Sequence, residues 1–211
     1  MQTRASKRVG LLGGTFNPVH CGHLTIADDA LSAWELDEIW FVPCAIPAHK
    51  AGQDIASAAD REAMIRVAIE DRPRYQCSTI ELARGGISYT VDTLRDLRAT
   101  YSGIEWFFII GADTLPDLAT WREIEAVLTL CTIVTLCRPG IDVSDREALK
   151  QRIGLPEPWP ARLVAHVFEG RLMDISSSDV RKRVAEKQSI RYLVPERVEA
   201  YIRQNGLYRY G

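Results

Sequence analysis

Short apolar runs alternate along the chain with longer segments that have the periodicity of amphipathic helices. This alternation is typical of βαβ units, in which a helix crosses over between two parallel strands. The run Glu105–Ile110 is continuously apolar after its first residue, as expected of a central strand that is buried on both faces. The pattern therefore predicts an α/β fold built on a parallel sheet.

The individual elements follow from the apolar runs and from the glycine and proline residues that end them. The predicted strands are Val9–Leu12, Ile39–Val42, Tyr75–Leu82, Glu105–Ile110, Cys131–Leu136 and Leu163–Phe168. The predicted helices are Gly22–Trp34, Asp60–Asp71 with Asp60 as its cap, Thr90–Tyr101, and two in the tail that open at Ser176–Ser178 and at Pro195. The stretch from Gly140 to Pro160 predicts a surface segment with a weak helix.

Length and composition favour one globular domain. With 211 residues, of which 46% are hydrophobic and 26% charged, the chain can bury a full core without disulfides or metals. We expect a single domain over 1–211, with a helical C-terminal part from about residue 170 to 211. Oligomeric state is left open by the sequence.

Charge, hydropathy and cysteine usage exclude several classes of partner. A net charge of −2 gives no global basic field for nucleic acid. The longest apolar stretch, Trp106–Ala112, is too short to cross a membrane, and the N-terminus lacks the apolar core of a signal peptide. The five cysteines form no Cys-x-x-Cys pair, so we expect neither a disulfide framework nor structural zinc, and a cytoplasmic location.

The segment Gly13–His23 carries the first chemical motif, Gly-Gly-Thr-Phe-Asn-Pro-Val-His-Cys-Gly-His, between the first strand and the first helix. Glycines let the backbone approach a ligand closely, and the helix start offers N–H groups to a phosphate. His20 and His23 are spaced to share a face. A structural role for the histidines and a metal site are the alternatives; neither the dinucleotide-binding fingerprint nor a P-loop is present.

The segment Ile175–Arg183 carries a second motif, Ile-Ser-Ser-Ser-Asp-Val-Arg-Lys-Arg. Serines before a helix are ordinary N-caps, and surface helices often carry basic clusters. Hydroxyl and N–H groups at a helix start, followed one turn later by an arginine, also form a good cradle for a triphosphate. Both interpretations remain open on the residues alone.

Together the two motifs resemble the signatures of the HxGH nucleotidyltransferase superfamily, and the chain from Val9 to Tyr208 looks like its nicotinate-nucleotide adenylyltransferase branch. The resemblance implies a Rossmann-like, doubly wound parallel sheet with a small C-terminal helical extension. It implies that His20 and His23 are catalytic and stabilise charge at the α-phosphate of ATP. The implied ATP-binding residues are Gly13, Gly14, Thr15, Phe16, Ser177, Ser178 and Arg181.

Three further features resemble the acceptor site of that branch. The segment Pro43–Lys50 is similar to the family loop that meets the acceptor phosphate, which implies Lys50 and then His49, although Ala48 replaces a family proline. Ser88-Tyr89-Thr90 resembles the Ser-Tyr-Thr that holds the nicotinate, and Thr90 is also a natural helix cap. Trp121 matches the tryptophan that stacks on the nicotinate ring, or else packs on Val127 or Leu128. Asp113 matches a position near the sugars.

The reaction implied by the resemblance is transfer of AMP from ATP to nicotinate mononucleotide, with Mg²⁺ bound to the nucleotide rather than to a protein site. Nicotinamide mononucleotide, phosphopantetheine and glycerol phosphate are alternative acceptors. A non-catalytic nucleotide sensor and a metal-dependent hydrolase that uses His20 and His23 are alternatives from other classes.

Overall fold

A computed structural model describes residues 6–46, 55–137, 146–171 and 173–209. Its centre is a six-stranded sheet in the order β3-β2-β1-β4-β5-β6. The strands are β1 (Lys7–Gly14), β2 (Glu38–Pro43), β3 (Tyr75–Cys77), β4 (Ile104–Gly111), β5 (Thr132–Cys137) and β6 (Val167–Glu169). This is the strand order of a doubly wound Rossmann-like sheet, in which the order reverses after β1. The predicted fold class is confirmed.

Helices connect the strands and form the C-terminal part. They are α1 (Cys21–Ala33), α2 (Ala58–Ile69), α3 (Ile80–Arg84), α4 (Thr90–Thr100), α5 (Ile124–Leu130), α6 (Arg146–Arg152), α7 (Trp159–Ala165), α8 (Ser177–Ala185) and α9 (Glu196–Gln204), with a 3₁₀ helix over Ala112–Thr120. Within the described residues no helix has the length and apolar character that a membrane crossing requires.

Two predicted strands were partly wrong. The segment predicted as the strand Tyr75–Leu82 is the short β3 followed by α3, because Ser78 and Thr79 end the alternation and Thr79 occupies the N-cap position. Most of the predicted strand Leu163–Phe168 belongs to α7 and its C-cap. Pro160 in the first turn of α7 starts a helix rather than a surface loop, and only Val167–Glu169 forms β6.

Two predicted caps also differ from the structure. Ser57, rather than Asp60, caps α2, and its side chain accepts a hydrogen bond from the Asp60 N–H. Tyr89 stands at the N-cap position of α4 and makes no side-chain cap, so Thr90 is the first helical residue rather than the cap. The predicted starts of the two tail helices agree with the structure, since Ser176 caps α8 and Pro195 precedes α9.

The chain divides into two compact units. Unit 1 comprises residues 1–12, 28–39 and 89–172. In it, β1 pairs in parallel with β4, β4 with β5 and β5 with β6. The core of this unit includes Leu11, Trp106, Phe107, Val134 and Leu97, each no more than 2% exposed.

Unit 2 comprises residues 13–27, 40–88 and 173–211. Its C-terminal helix α9 packs against α2, and the Tyr201 hydroxyl donates a hydrogen bond to the Asp60 carboxylate at 3.0 Å. Arg197 forms an ion pair with Glu70 at 2.7 Å along the same helix pair. Three separate parts of the chain therefore build one unit.

His166, in unit 1, makes the stability of the fold dependent on pH. Burial lowers the pKa of His166 below its ordinary 6.5; a backbone hydrogen bond with Ile133 opposes this, and the charge of Arg162 adds to it. Its ring packs edge-on against Trp34 at 4.9 Å. Because the unfolded chain binds the proton more readily, the stability present above pH 6.5 is lost as pH falls toward the lower, folded-state pKa.

We therefore expect the free energy of unfolding to fall between pH 7.5 and pH 5.5 more steeply in the wild type than in His166→Gln. Urea denaturation of both proteins at the two pH values measures this difference. Identical slopes in the two proteins would contradict the role of His166.

Candidate active site

The loop after β1 brings both histidines of the first motif together. The His20 and His23 rings lie 3.7 Å apart, centroid to centroid, and tilt by 33°. His20 is 6% exposed and His23 is partly exposed. The His20 N–H donates to His23 Nδ1 at 3.2 Å, and this bond places the proton of neutral His23 on Nε2. His23 is thus oriented as a donor through Nε2.

Gly22 leaves room for the His20 imidazole at the start of α1. A Cβ on Gly22 would lie 3.0 Å from His20 Nδ1 and 3.1 Å from its Cε1. The two neighbouring amides are occupied, Cys21 N–H by Leu193 O at 2.8 Å and His23 N–H by His20 O at 3.0 Å. The Gly22 N–H, one of the first in the helix, is then the natural donor to an anion there.

Phe16 supports the histidines rather than facing a ligand. It adopts a left-handed backbone with φ of 50° and its side chain is 1% exposed. The ring lies 4.9 Å from that of His23 and 5.8 Å from that of Phe41. Of the predicted ATP-binding residues, Phe16 is therefore the one whose side chain is buried in the core, and only its backbone remains for a nucleotide.

The second motif lies directly against the first within unit 2. Ser177 Oγ donates to Pro18 O at 2.9 Å, and Arg181 Nη1 donates to Asn17 O at 2.8 Å. Arg181 Nη2 also reaches Ser178 Oγ at 3.4 Å. The structure thus brings His20, His23 and the start of α8 into one cluster, as the sequence led us to expect.

Asn17 is the centre of this cluster, and sequence reasoning gave it no role of its own. Its Oδ1 accepts hydrogen bonds from the Ala56 N–H at 3.0 Å and from the Tyr208 hydroxyl at 2.8 Å. Its side chain is 4% exposed. Tyr208, far along the chain, therefore helps to hold the loop, and no local pattern around residue 208 could have revealed this contact.

Two cysteines in this cluster are not poised as nucleophiles. Burial raises the pKa of both the Cys21 and the Cys44 thiol above the ordinary 9.0, with Arg72 and a Thr15 hydrogen bond respectively acting against that rise. Both thiols are protonated at neutral pH, so neither supplies a thiolate. The chemistry of the cluster therefore rests on hydrogen-bond donors and positive charge.

The predicted acceptor loop is only partly described, because His49 and Lys50 lie outside the described residues. Its first part is tied to the segment before Tyr89. The Ile46 N–H donates to Gly86 O at 3.2 Å, the Ser88 N–H donates to Ile46 O at 3.2 Å, and the Ala45 N–H donates to Ser88 Oγ at 3.1 Å.

The other predicted acceptor residues lie in unit 1. Trp121 follows the 3₁₀ helix, and its ring packs edge-on against Phe108 at 5.8 Å. The structure thus gives Trp121 an aromatic partner within unit 1. The Arg122 guanidinium lies 4.8 Å from the centre of the Tyr89 ring, so Tyr89 and Trp121 belong to one neighbourhood. Thr90 begins α4 beside Tyr89.

Asp113 stands just beyond the end of β4 and is exposed. Its carboxylate folds back over Gly111, where a Cβ would clash with Asp113 Oδ1. Any side chain at position 111 would displace that carboxylate. Gly111 thus permits the position of Asp113, the residue predicted to lie near the sugars.

The chain is similar to known proteins over nearly its whole length. The model of the cytidylyltransferase-like family matches residues 11–183. A probable nicotinate-nucleotide adenylyltransferase of Citrifermentans bemidjiense is 43% identical, covering 95% of this chain and 98% of that protein. One of Desulfitobacterium hafniense is 42% identical, with 96% of each chain covered.

A solved structure shares the fold. Nicotinic acid mononucleotide adenylyltransferase of Plasmodium falciparum, complexed with APC, superposes with a TM-score of 0.71 at 18% identity, covering 96% of this chain and 97% of that one. The matched family model spans the glycine loop, both histidines and the start of α8. The chain therefore belongs to the cytidylyltransferase-like family of nucleotidyltransferases, among its nicotinate-nucleotide adenylyltransferases.

Proposed function

We propose that this enzyme transfers AMP from ATP to nicotinate mononucleotide, which gives nicotinate adenine dinucleotide and pyrophosphate for NAD biosynthesis. The relatives that share over 40% of its residues carry the name of this activity. The observation that carries the proposal is the pair of hydrogen bonds from Ser177 to Pro18 and from Arg181 to Asn17. They hold the histidine loop against a helix start, as a triphosphate site requires.

The reaction needs no covalent intermediate with the enzyme. A phosphate oxygen of the acceptor attacks the α-phosphorus of ATP in line, and pyrophosphate leaves. Such transfers are accelerated by positioning and by donors aimed at the developing charge. We assign that donation to His23 Nε2–H and to His20, with the Gly22 N–H beside them. The backbone of Gly13, Gly14, Thr15 and Phe16 lines the nucleotide.

The start of α8 is assigned to the β- and γ-phosphates. The first N–H groups of the helix have no acceptor within it, and the helix dipole favours an anion there. Ser178 is exposed beside the Arg181 guanidinium, so its hydroxyl is well placed to donate. Ser177 already donates to Pro18 O, and we assign it the task of aligning α8 with the loop.

Mg²⁺ enters as part of the substrate, bound to phosphate oxygens of ATP. The described residues contain no group of three or more His, Cys, Asp or Glu side chains suited to hold a metal ion. A nucleotide-held cation fits that donor set, because Mg²⁺ is commonly bound through substrate phosphates and water. The protein's own contribution is then cationic and amide donors.

The acceptor is assigned to the residues that resemble the acceptor site of the nicotinate-nucleotide adenylyltransferases. We place the nicotinate ring on Trp121, its carboxylate at Tyr89 and Thr90, where α4 begins, and ribose hydroxyls at Asp113. Lys50, with His49, is assigned to the acceptor phosphate. The partners are thus small molecules, and the reducing cytoplasm suits the five free thiols.

Replacing Trp121 by alanine tests the ring assignment. We expect the KM for nicotinate mononucleotide to rise about tenfold, since stacking on an aromatic side chain is worth roughly 1–3 kcal/mol per base. The KM for ATP should stay unchanged, and Trp121→Phe should recover most of the loss. Steady-state kinetics with each substrate varied in turn measures both constants. An equal rise in the two KM values would refute the stacking role.

Pyrophosphate release from MgATP, measured with a panel of acceptors, tests the function itself. We expect the highest kcat/KM with nicotinate mononucleotide, followed by nicotinamide mononucleotide. Preference for phosphopantetheine or glycerol phosphate would reassign the acceptor. Release without any acceptor would indicate a hydrolase, and ATP binding without release would indicate a sensor.

A further inference from the structure

Arg61 is a buried cation for which the proposed reaction has so far required no role. It lies in the first turn of α2 and is 2% exposed, although arginine is rarely buried to this extent without a carboxylate partner. Arg66, five residues further along the same helix, lies in the environment usual for an arginine. It is exposed and forms an ion pair with Glu62 at 2.8 Å. The burial of Arg61 therefore demands a specific explanation.

The guanidinium of Arg61 joins three segments of unit 2. Its Nη1 donates to Thr15 O at 3.0 Å and to Cys44 O at 2.7 Å, its Nη2 donates to Ala45 O at 3.2 Å, and its Nε donates to Ala56 O at 3.1 Å. Over residues 6–46, 55–137, 146–171 and 173–209, its acceptors are all backbone carbonyls. All three nitrogens of the planar group donate, and they use four of its five N–H groups.

The joined segments are those on which the proposed reaction depends. Thr15 lies in the loop between the strand-end glycines and His20. Cys44 and Ala45 open the loop that leads to His49 and Lys50. Ala56 donates its own N–H to Asn17 Oδ1, and Asn17 O accepts from Arg181. One side chain thus fixes the nucleotide loop relative to the start of the acceptor loop.

We infer that Arg61 is a positioning residue that fixes the position of the loop at Thr15 relative to the segment Cys44–Ala45. The inference rests on the proposed function for its kinetic consequence but not for its structural one. Lysine cannot replace it, because a compact ammonium group lacks the fork that reaches these carbonyls at the same time. The required feature is the geometry of the guanidinium rather than its charge.

Arg61→Lys is the principal test, since it keeps the charge and the aliphatic stem, and Arg61→Gln is the companion variant. We expect kcat for pyrophosphate release to fall at least about tenfold in both, because displacements of about 1 Å can cost a hundredfold. The KM for ATP should change by less than about threefold, since the residues assigned to the triphosphate are intact. Arg66→Lys and Arg66→Gln are the matched controls and should behave as wild type.

The labelling rate of Cys44 reports the loop geometry without any reference to activity. Cys44 is 8% exposed and its carbonyl is an acceptor of Arg61. In the folded Arg61 variants we expect iodoacetamide, followed by peptide mass mapping, to modify Cys44 at least about tenfold faster, as local opening becomes easier. Cys131, whose pKa burial raises to about 12, serves as the internal reference and should keep its rate.

The outcomes separate the inference from the proposed function. Wild-type kcat and unchanged Cys44 labelling in folded Arg61→Lys would overturn the inference, and so would a lowered Tm with unchanged kinetics, which marks a merely structural role. If Arg61→Gln does not fold, the lysine variant alone decides. A wild-type enzyme that releases no pyrophosphate would contradict the proposed function. The labelling rate of Cys44 would still test whether Arg61 holds the two segments in place.

Discussion

Replacing His23 by alanine is expected to lower turnover at least about a hundredfold in a protein that remains folded. A single well-placed donor to the charge that develops in a transition state is worth roughly 3 to 4 kcal/mol in comparable sites. The His20 N–H bond to His23 Nδ1 leaves the proton on Nε2, so this donor is already oriented before substrate arrives. Burst and steady-state pyrophosphate release would measure the loss.

Two matched variants at position 23 separate donation from folding. His23→Asn keeps an acceptor at the place of Nδ1 for the His20 N–H but removes the Nε2 donor, and should be as slow as the alanine variant. His23→Gln can place an amide N–H near Nε2 and should recover part of the rate. His166→Gln, in unit 1, is the histidine control and should keep full turnover. A folded His23→Ala protein with near-normal kcat would eliminate the proposed role.

Replacing Arg181 by alanine is expected to lower kcat/KM for ATP by about one to two orders of magnitude. Hydrogen bonds to charged groups contribute roughly 1.5–3 kcal/mol, and a guanidinium matches phosphate oxygens well. In the structure this group already lies beside the loop, held by Asn17 O and near Ser178 Oγ. Because the substitution also removes the bond to Asn17, part of the loss should appear in kcat.

Arg183 supplies the control for this experiment on the same helix. It is partly exposed and pairs with Asp179 at 3.1 Å. Arg183→Ala should therefore leave kcat/KM for ATP within about twofold of wild type, since exposed ion pairs contribute little. Isothermal titration with α,β-methylene-ATP gives the affinity independently of turnover. Equal affinities in Arg181→Ala and Arg183→Ala would show that Arg181 does not contact the triphosphate.

Local sequence patterns predicted the fold because the sheet is built from strongly apolar runs. The run at β4 and the glycine pair at the end of β1 identify their strands without tertiary information. The errors occurred where short segments were ambiguous. The stretch after Tyr75 has apolar residues that suit either a strand or a helix. Pro160 was interpreted as a loop residue although it lies in the first turn of α7. Such choices depend on packing that a short window does not contain.

The candidate site likewise contains residues that local patterns predicted and residues that they did not. His20, His23 and Arg181 stand in contiguous motifs, so their grouping was predictable from helix starts and from resemblance. Arg61 and Tyr208 act through hydrogen bonds to distant backbone or side-chain oxygens. An arginine in an amphipathic helix predicts only an exposed charge, and a tyrosine near a glycine predicts only a turn. Contacts over such sequence separations become visible only when the chain is folded.

The bond from Tyr208 to Asn17 has a consequence for how the protein is made. The loop around Asn17 leaves the ribosome early, whereas its partner residue is added nearly two hundred codons later. Until then the nascent loop lacks the hydrogen bond from Tyr208, and the bonds that Ser177 and Arg181 of α8 make to it are missing as well. A growing chain should therefore remain unable to engage nucleotide until these late residues have emerged and docked.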